Sequence, residues 1–376
     1  MVHKSFKQLK LSALGMGSMR LPLVEENNAK IDEQKTEEII AYAMKNGINY
    51  YDTAWGYHNG NSEIVIGNIL NKYPREKYYL ATKFPGYDVS NMDKVEQIFE
   101  KQLEKCKVDY FDFYLFHNVC ELNIEQYLDE KYKIHEYLMK QKQNGRIHYL
   151  GFSVHGSYDV MKRFLEKYGK DMEFCQIQLN YIDLSFQHAD DKIELLKQYN
   201  IPIWVMEPLR GGKLCKLSGN DTKTLKQFRP EADATEWAFR FLQSIPEVTM
   251  ILSGMSSLEQ LKQNIQIFQT EKPLNKTEKQ ALFTIADGML NGKLPCTSCH
   301  YCTTHCPQQL DIPRLLELYN EYCFTGGGFI APMVVGTLPE QKRPSACIAC
   351  KSCEAVCPQQ IKISEALADF TSKLKS

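Results

Sequence analysis

A parallel (β/α)8 barrel over residues 1–287, joined to a small, mainly α-helical domain over residues 288–376, is the α/β architecture this sequence predicts. Three observations predict it. Eight short β-rich runs alternate with helical patterns before about residue 287, the rhythm of a barrel. No GxGxxG follows the first run, which argues against the runner-up, a doubly wound dinucleotide-binding sheet. Eight of the thirteen cysteines then crowd into two runs near the C-terminus, marking a second domain, as a length of 376 residues also suggests.

The first β-rich run lies near residues 11–16. Residues 36–44 read as a helix whose Ile39, Ile40, Ala43 and Met44 form one apolar face, with Gly47 as its stop. Residues 49–52 form the second strand, and a helix over 62–70 opens on Ser-Glu, a fitting N-terminal pair. The remaining strands fall at 78–83, 111–116, 149–153, 174–178, 202–206 and 249–252. Leu258, Leu261 and Ile265 then repeat at helical spacing. Composition shifts over 286–295, where Gly288, Asn291, Gly292 and Pro295 mark a linker. Beyond it, Asp311 caps a helix with Pro313 in its first turn. An apolar piece at 329–335 is expected to pack on the barrel or, as the alternative, to form a partner contact, and 363–374 is amphipathic.

Polar residues stand where the strands end: Asp52, Lys83, His117, Ser153, Gln176 and Glu207. In such barrels the C-terminal ends of the strands carry the chemistry. Composition narrows the classes further. A net charge of −1 leaves no basic footprint for nucleic acid. No apolar run approaches the roughly 18 residues needed to span a bilayer, and Met1 to Lys7 is not an apolar signal segment. The expected location is cytoplasmic, with Cys106, Cys120, Cys175, Cys215 and Cys323 as free thiols.

Cys296, Cys299, Cys302, Cys306 and Pro307 form the first cysteine run, and Cys347, Cys350, Cys353, Cys357 and Pro358 the second. Both read C-x2-C-x2-C-x3-C-P, the two-cluster spacing of bacterial ferredoxins. Three closely spaced thiolates grip three corners of a cubane, and the fourth ligates the other cluster. One 4Fe-4S cluster is therefore expected on Cys296, Cys299, Cys302 and Cys357. The other is expected on Cys347, Cys350, Cys353 and Cys306. Zinc would usually take two CxxC pairs set apart.

Tyr51-Asp52-Thr53-Ala54, then Tyr57, Gly60, Ser62-Glu63, Gly67 and Leu70 resemble the aldo/keto reductase signature. Lys83 in Ala-Thr-Lys, His117 in Leu-Phe-His and Gly151-x-Ser153 extend the resemblance, which runs from about Leu11 to Ile265. With the cysteine tail, the chain resembles the branch of that family carrying a C-terminal two-cluster ferredoxin-like domain. The resemblance implies a catalytic tetrad of Asp52, Tyr57, Lys83 and His117. Tyr57 would pass a proton, and Lys83, held by Asp52, would lower its pKa from about 10 by favouring phenolate. His117 would orient a carbonyl oxygen.

The family binds NADPH or NADH across the barrel mouth. Ser153 and Gln176 match the carboxamide contacts, with Gln178 and Asn180 on Gln176's strand face as alternatives. Gly17, Ser18 and Arg20 would line the mouth, as would Leu209, while Gly254, Ser256, Gln260 and Asn264 match the adenosine end. Three departures stand out. Met206 occupies the usual place of a stacking aromatic, and Val154 that of an asparagine. Gly254 and Gln260 replace basic residues for a 2′-phosphate, which implies NADH use or weak discrimination. Arg210 and Lys213 read as solvated loop charges, with binding of the cofactor's phosphate from another side as the alternative.

Two readings follow. In one, the barrel reduces a small-molecule carbonyl with NAD(P)H while the clusters serve structure, sensing or a separate electron route. In the other, the chain is an electron-transfer module working with an external electron carrier, and its barrel has no reductase activity.

Overall fold

The computed structural model describes residues 1–375 except 26, 28, 295, 297–301 and 358. The chain divides into two compact units, Met1–Ala286 and Asp287–Ser376. The first opens on an antiparallel hairpin of β1 (His3–Phe6) and β2 (Leu9–Ser12), with Lys7 in the left-handed region at the turn. Eight parallel strands follow: β3 (Leu14–Gly17), β4 (Tyr50–Asp52), β5 (Tyr79–Phe84), β6 (Phe111–Val119), β7 (Ile147–Val154), β8 (Cys175–Gln178), β9 (Ile203–Met206) and β10 (Val248–Gly254). They close in chain order, β10 pairing back to β3.

The single run expected at 11–16 is thus two elements. Leu11 and Ser12 finish the hairpin, and β3 starts only at Leu14. The hairpin has a packing role: Phe6 and Leu11 bury themselves among the barrel's inward-facing Tyr50, Phe113, Tyr149, Phe174 and Trp204. Phe6 meets Trp204 edge-on, with ring centroids 5.0 Å apart, a favoured aromatic geometry.

Side chains two apart on a strand share a face. The inward apolar layer therefore fixes what stands one step further along each strand. Tyr50 puts Asp52 inside, Ala81 puts Lys83 inside, and Leu115 does the same for His117. Phe174 and Trp204 place Gln176 and Met206 likewise, and Leu252 places Gly254. Register levels these positions: Gly17 pairs Asp52, Ser153 pairs Gln176, and Gly254 pairs Gly17. An aromatic plug on one side and a polar ring on the other follow from one alternation.

Outer helices cover the strands. In helix Tyr158–Tyr168 the buried residues Val160, Met161, Phe164, Leu165 and Tyr168 form one stripe. Helix Ser62–Leu70 packs against helix Val95–Cys106 at Gly67, where a Cβ would stand 2.6 Å from backbone atoms of Cys106. Only glycine permits that approach.

In the second unit, Asp311 accepts from the Arg314 amide to cap helix Ile312–Thr325, and Gly326 ends it at φ +69°. The apolar piece at 329–335 becomes helix Ile330–Thr337, whose Ile330, Ala331, Val334 and Val335 pack with Leu318 and Phe370. Those four side chains build part of the core of their own unit. Gly288 is reassigned, since helix Lys276–Met289 runs through it. Among the described residues no helix is long and apolar enough to cross a membrane.

Candidate active site and cysteine cavity

Asp52, ending β4, is gripped on both carboxylate oxygens. Lys83 Nζ donates to Oδ1 at 2.6 Å and Gln176 Nε2 donates to Oδ2 at 2.7 Å. Lys83 Nζ also donates to the Thr53 carbonyl at 2.7 Å. Side-chain exposure is only 1% for Lys83 and 5% for Asp52, so each charge depends on the other. Burial pulls Lys83 down, but Asp52 and Tyr57 outweigh it and hold the amine above its ordinary pKa. It is an ammonium at neutral pH.

Tyr57 starts the short turn Tyr57–Gly60, in which His58 and Asn59 take left-handed backbone angles. The Lys83 ammonium stands 5.1 Å from the Tyr57 ring centroid. The His117 ring centroid lies 6.1 Å from that of Tyr57. Here the expected direction is corrected. Burial pushes the Tyr57 phenol above its ordinary pKa; Lys83 pulls the other way without prevailing, and Asp52 and Glu207 add to the rise. Desolvation penalises phenolate more than one paired ammonium repays. Burial, then Lys83 and His155, push His117 well below its ordinary pKa, so its ring is neutral. Its Nδ1 is buried without a hydrogen-bond partner.

A polar network lies behind Lys83. Gln102 Nε2 donates to the Lys83 carbonyl at 2.9 Å and to Glu63 Oε1 at 2.7 Å. Lys105 Nζ donates to Glu63 Oε2 at 2.6 Å. Sequence reading missed Gln102, although a glutamine beside Ile98, Phe99 and Leu103 on a buried helix stripe is a visible signal.

A cleft of about 490 Å³ opens over the barrel. Gly17, Arg20, Asp52, Tyr57, Gln176 and Met206 line it. Leu209, Gly254, Ser256, Gln260 and Asn264 continue the lining. Lys83 and His117 stand outside the lining, Lys83 behind Asp52 and Tyr57. Ser18 and Ser153 are not in the lining either. Both are buried; the Ser18 hydroxyl donates to the Asp52 carbonyl, and Ser153 Oγ accepts from the Asn118 amide at 2.8 Å. Gln178 and Asn180 turn to Asp183. Arg210 joins them, paired with Asp183 at 3.1 Å and only 4% exposed. It is a buried structural cation, not the solvated charge its loop position suggested, while Lys213 is exposed. Glu207, Lys216 and Asp233 also line the cleft and were not assigned there from sequence. Glu207, at φ +54° and 3.7 Å from Arg20 Nη2, had its strand-end position as the signal.

The neutral histidines give a pH signature. Burial and Lys192 push His155 down to about 4, and His117 moves the same way, against about 6.5 in the unfolded chain. Between those values the unfolded chain binds more protons. Stability from these rings is complete above about pH 6.5 and drains as pH falls towards 4. Tm is expected to drop across that window, and the slope to shrink in His155→Gln; an unchanged slope would contradict it.

In the second unit, Cys306, Cys347, Cys350 and Cys353 line one cavity together with Leu310, Ile312 and Leu367. Three come from the second run and one from the first. Cys353 is buried, Cys306 and Cys347 half-buried, and Cys350 exposed. Cys296, Cys302 and Cys357 join the same apolar cluster; Cys299 lies outside the described residues. No described cysteine forms a disulfide, Cys106, Cys120, Cys175, Cys215 and Cys323 included. Among the described residues no group of three or more His, Cys, Asp or Glu is arranged to hold a metal ion. Four sulfurs around a shared, apolar-walled cavity nevertheless have the donor chemistry that an iron–sulfur cluster takes.

A family model described as "Aldo/keto reductase family" matches residues 13–283, and one described as "4Fe-4S dicluster domain" matches 295–362. An uncharacterised oxidoreductase of Bacillus subtilis is 26% identical over 304 residues, covering 73% of this chain and 92% of that protein. An NADH-specific methylglyoxal reductase of Escherichia coli is 22% identical over 298 residues, covering 68% and 89%. An aldo-keto reductase of Klebsiella pneumoniae, solved in complex with NADPH, aligns with a TM-score of 0.60 at 18% identity, over 76% of this chain and 96% of that one. That likeness is one of fold.

Proposed function

The chain belongs to the aldo/keto reductase family and is an oxidoreductase; from that premise we propose that it reduces a small-molecule carbonyl by hydride transfer, with Tyr57 as proton donor. The observation that carries this is the buried Asp52–Lys83 pair, whose amine stands 5.1 Å from the ring of Tyr57, which lines the cleft and has the His117 ring at its edge. NADH or NADPH, bound in the cleft, would supply the hydride to the carbonyl carbon. Tyr57 gives its phenolic proton to the oxygen. A phenol with a raised pKa stays protonated at neutral pH, which suits an acid in reduction more than a base in oxidation. The phenolate left behind lies beside the Lys83 ammonium, so the developing charge forms next to its counter-ion. Neutral His117 donates to the same oxygen and orients it. Gln176 holds Asp52 and faces the cleft, where Met206 offers a thioether to the nicotinamide ring.

We assign residues 288–376 as a ferredoxin-like domain. Cys306, Cys347, Cys350 and Cys353 would hold one 4Fe-4S cluster, and Cys296, Cys299, Cys302 and Cys357 a second. The clusters would supply one-electron chemistry. A hydride carries two electrons at once, so the cysteine domain serves an electron route separate from the carbonyl step. The test is carbonyl-dependent NAD(P)H loss, measured before and after chelation of the iron. Activity that survives iron removal supports the proposal. Cluster reduction by an outside donor with no carbonyl turnover would leave an electron-transfer module instead.

Gly254 and Gln260 offer no cation to a 2′-phosphate, and Asp233 adds a carboxylate to the same cleft. NADH and NADPH titrations followed by fluorescence are expected to differ by less than ~10-fold, or to favour NADH. A strong NADPH preference would contradict this and point to Arg20 or Lys216.

A further inference from the structure

Reduction as proposed needs the His117 ring in one orientation, and the hydrogen bonds at His117 hold its backbone. Its carbonyl accepts from Tyr127 Oη at 2.9 Å, and the next amide, that of Asn118, donates to Ser153 Oγ at 2.8 Å. The register between β6 and β7 shifts here, between Phe116 and Val119, and Asn118 stands at φ +54°. Such an irregularity re-aims a side chain. The ring has no tie at Nδ1, which is buried without a hydrogen-bond partner. Two tyrosine rings meet it edge to face. The Tyr57 ring lies 6.1 Å away at 81°, and the Tyr87 ring lies closer, 5.2 Å away at 89°. Contacts of this kind prefer one geometry, whereas the terminal torsion of a histidine is otherwise broad.

Tyr87 is carried on a segment locked to the same backbone. Asn123 Nδ2 donates to the Gly86 carbonyl at 3.0 Å and to the Asn118 carbonyl at 2.9 Å. Tyr127 repeats the tie: the hydroxyl that donates to His117 also sits against Gly86, where a Cβ would collide with it. The far end of Tyr87 reaches the turn that carries the proton donor. A Cβ on Gly56, the residue before Tyr57, would run into the Tyr87 hydroxyl, with Tyr87 Cζ 3.3 Å away. Beyond its chain neighbours, that Cβ would have no other atom within 4 Å. Gly56 stands at φ −90° and ψ −5°, turn angles that alanine can adopt. Glycine is there for room, and the room is filled by Tyr87. Burial, then Glu63 and Asp88, push the Tyr87 phenol up to about 12, so at neutral pH it brings no charge to His117. The charges that act on His117 are Lys83 and, when protonated, His155.

We propose that Tyr87 is the positioning residue for His117: its ring, admitted by the missing side chain at Gly56, holds the imidazole in the orientation from which it donates to the substrate oxygen. The proposal rests on the hydride-transfer reading and adds no step to it. The hydride still goes to carbon and the proton from Tyr57 to oxygen, while Tyr87 neither gains nor loses an atom.

The experiment uses the cluster-loaded full chain, an aromatic aldehyde and NADH. Tyr87→Ala is expected to lower kcat at least ~10-fold, with KM for NADH changed less than ~2-fold. Tyr87→Phe keeps the ring and is expected to retain turnover within ~3-fold of wild type. Gly56→Ala is expected to cost ~10-fold in kcat by pushing the Tyr87 ring aside. Adding Tyr87→Phe to it removes the colliding oxygen and should restore turnover to that of Tyr87→Phe alone. This suppression tests the proposal even if Tyr87→Ala fails to fold. The His117 imidazole resonances, assigned by their loss in His117→Gln, read the same geometry without turnover. They should move in Gly56→Ala and return in the double variant. A loss in Gly56→Ala that Tyr87→Phe does not relieve would overturn the proposal, as would full turnover in Tyr87→Ala or resonances that never move. Resonances that move and return in a protein that reduces no carbonyl would uphold the positioning of His117 and overturn the hydride-transfer reading alone.

Discussion

Replacing Tyr57 by phenylalanine is expected to lower kcat for carbonyl reduction at least ~10²-fold while leaving nicotinamide binding unchanged. The change removes one oxygen and keeps the ring that faces His117 and Lys83. It is a cleaner probe than changing Lys83. Loss of that ammonium would leave the Asp52 carboxylate buried and unpaired, a defect worth about 3–5 kcal/mol that could unfold the barrel. Turnover by Tyr57→Phe within a few-fold of wild type would assign the proton to another group. The raised pKa of Tyr57 adds a second expectation: reduction should hold steady through neutral pH, and oxidation should gain as pH rises towards the phenol's value.

The cysteine assignment gives the second large effect. Two 4Fe-4S clusters mean about eight irons per chain. Cys306→Ala and Cys350→Ala should each lose about four of them. The double variant should also lose only about four, since both sulfurs line one cavity. If each run instead held its own cluster, the double variant would lose nearly all its iron. Non-additivity of the two substitutions therefore reads out the crossing directly. Carbonyl reduction should survive in all three.

The alternation of apolar and polar residues made the barrel and its polar ring legible. Tyr50 and Asp52, or Phe174 and Gln176, declare a shared inward face by their spacing of two alone. Elements too short to show a period were not legible: β1 and β2 have four residues each, and the hairpin is justified only by what Phe6 and Leu11 cover. Partners distant in sequence were also hidden. Arg210 reads as a loop cation until Asp183 is seen 3.1 Å away. The direction of the Tyr57 shift depended on burial, which neighbouring charges in a sequence do not report. The apolar segment at 329–335 announced that it must be covered but not by what; Leu318 and Phe370 supply the cover.

Hydride transfer to a carbonyl carbon is the central claim, and an isotope experiment tests it most directly. Wild-type protein, prepared anaerobically, is given an aromatic aldehyde and nicotinamide cofactor deuterated at the transferable position. The alcohol formed is analysed by mass spectrometry and NMR. One deuterium on the carbinol carbon, with its formation suppressed in Tyr57→Phe, is the predicted result. Cofactor consumed with no deuterium in the product, or none consumed across a panel of aldehydes and ketones while a carrier still reduces the clusters, would contradict the account.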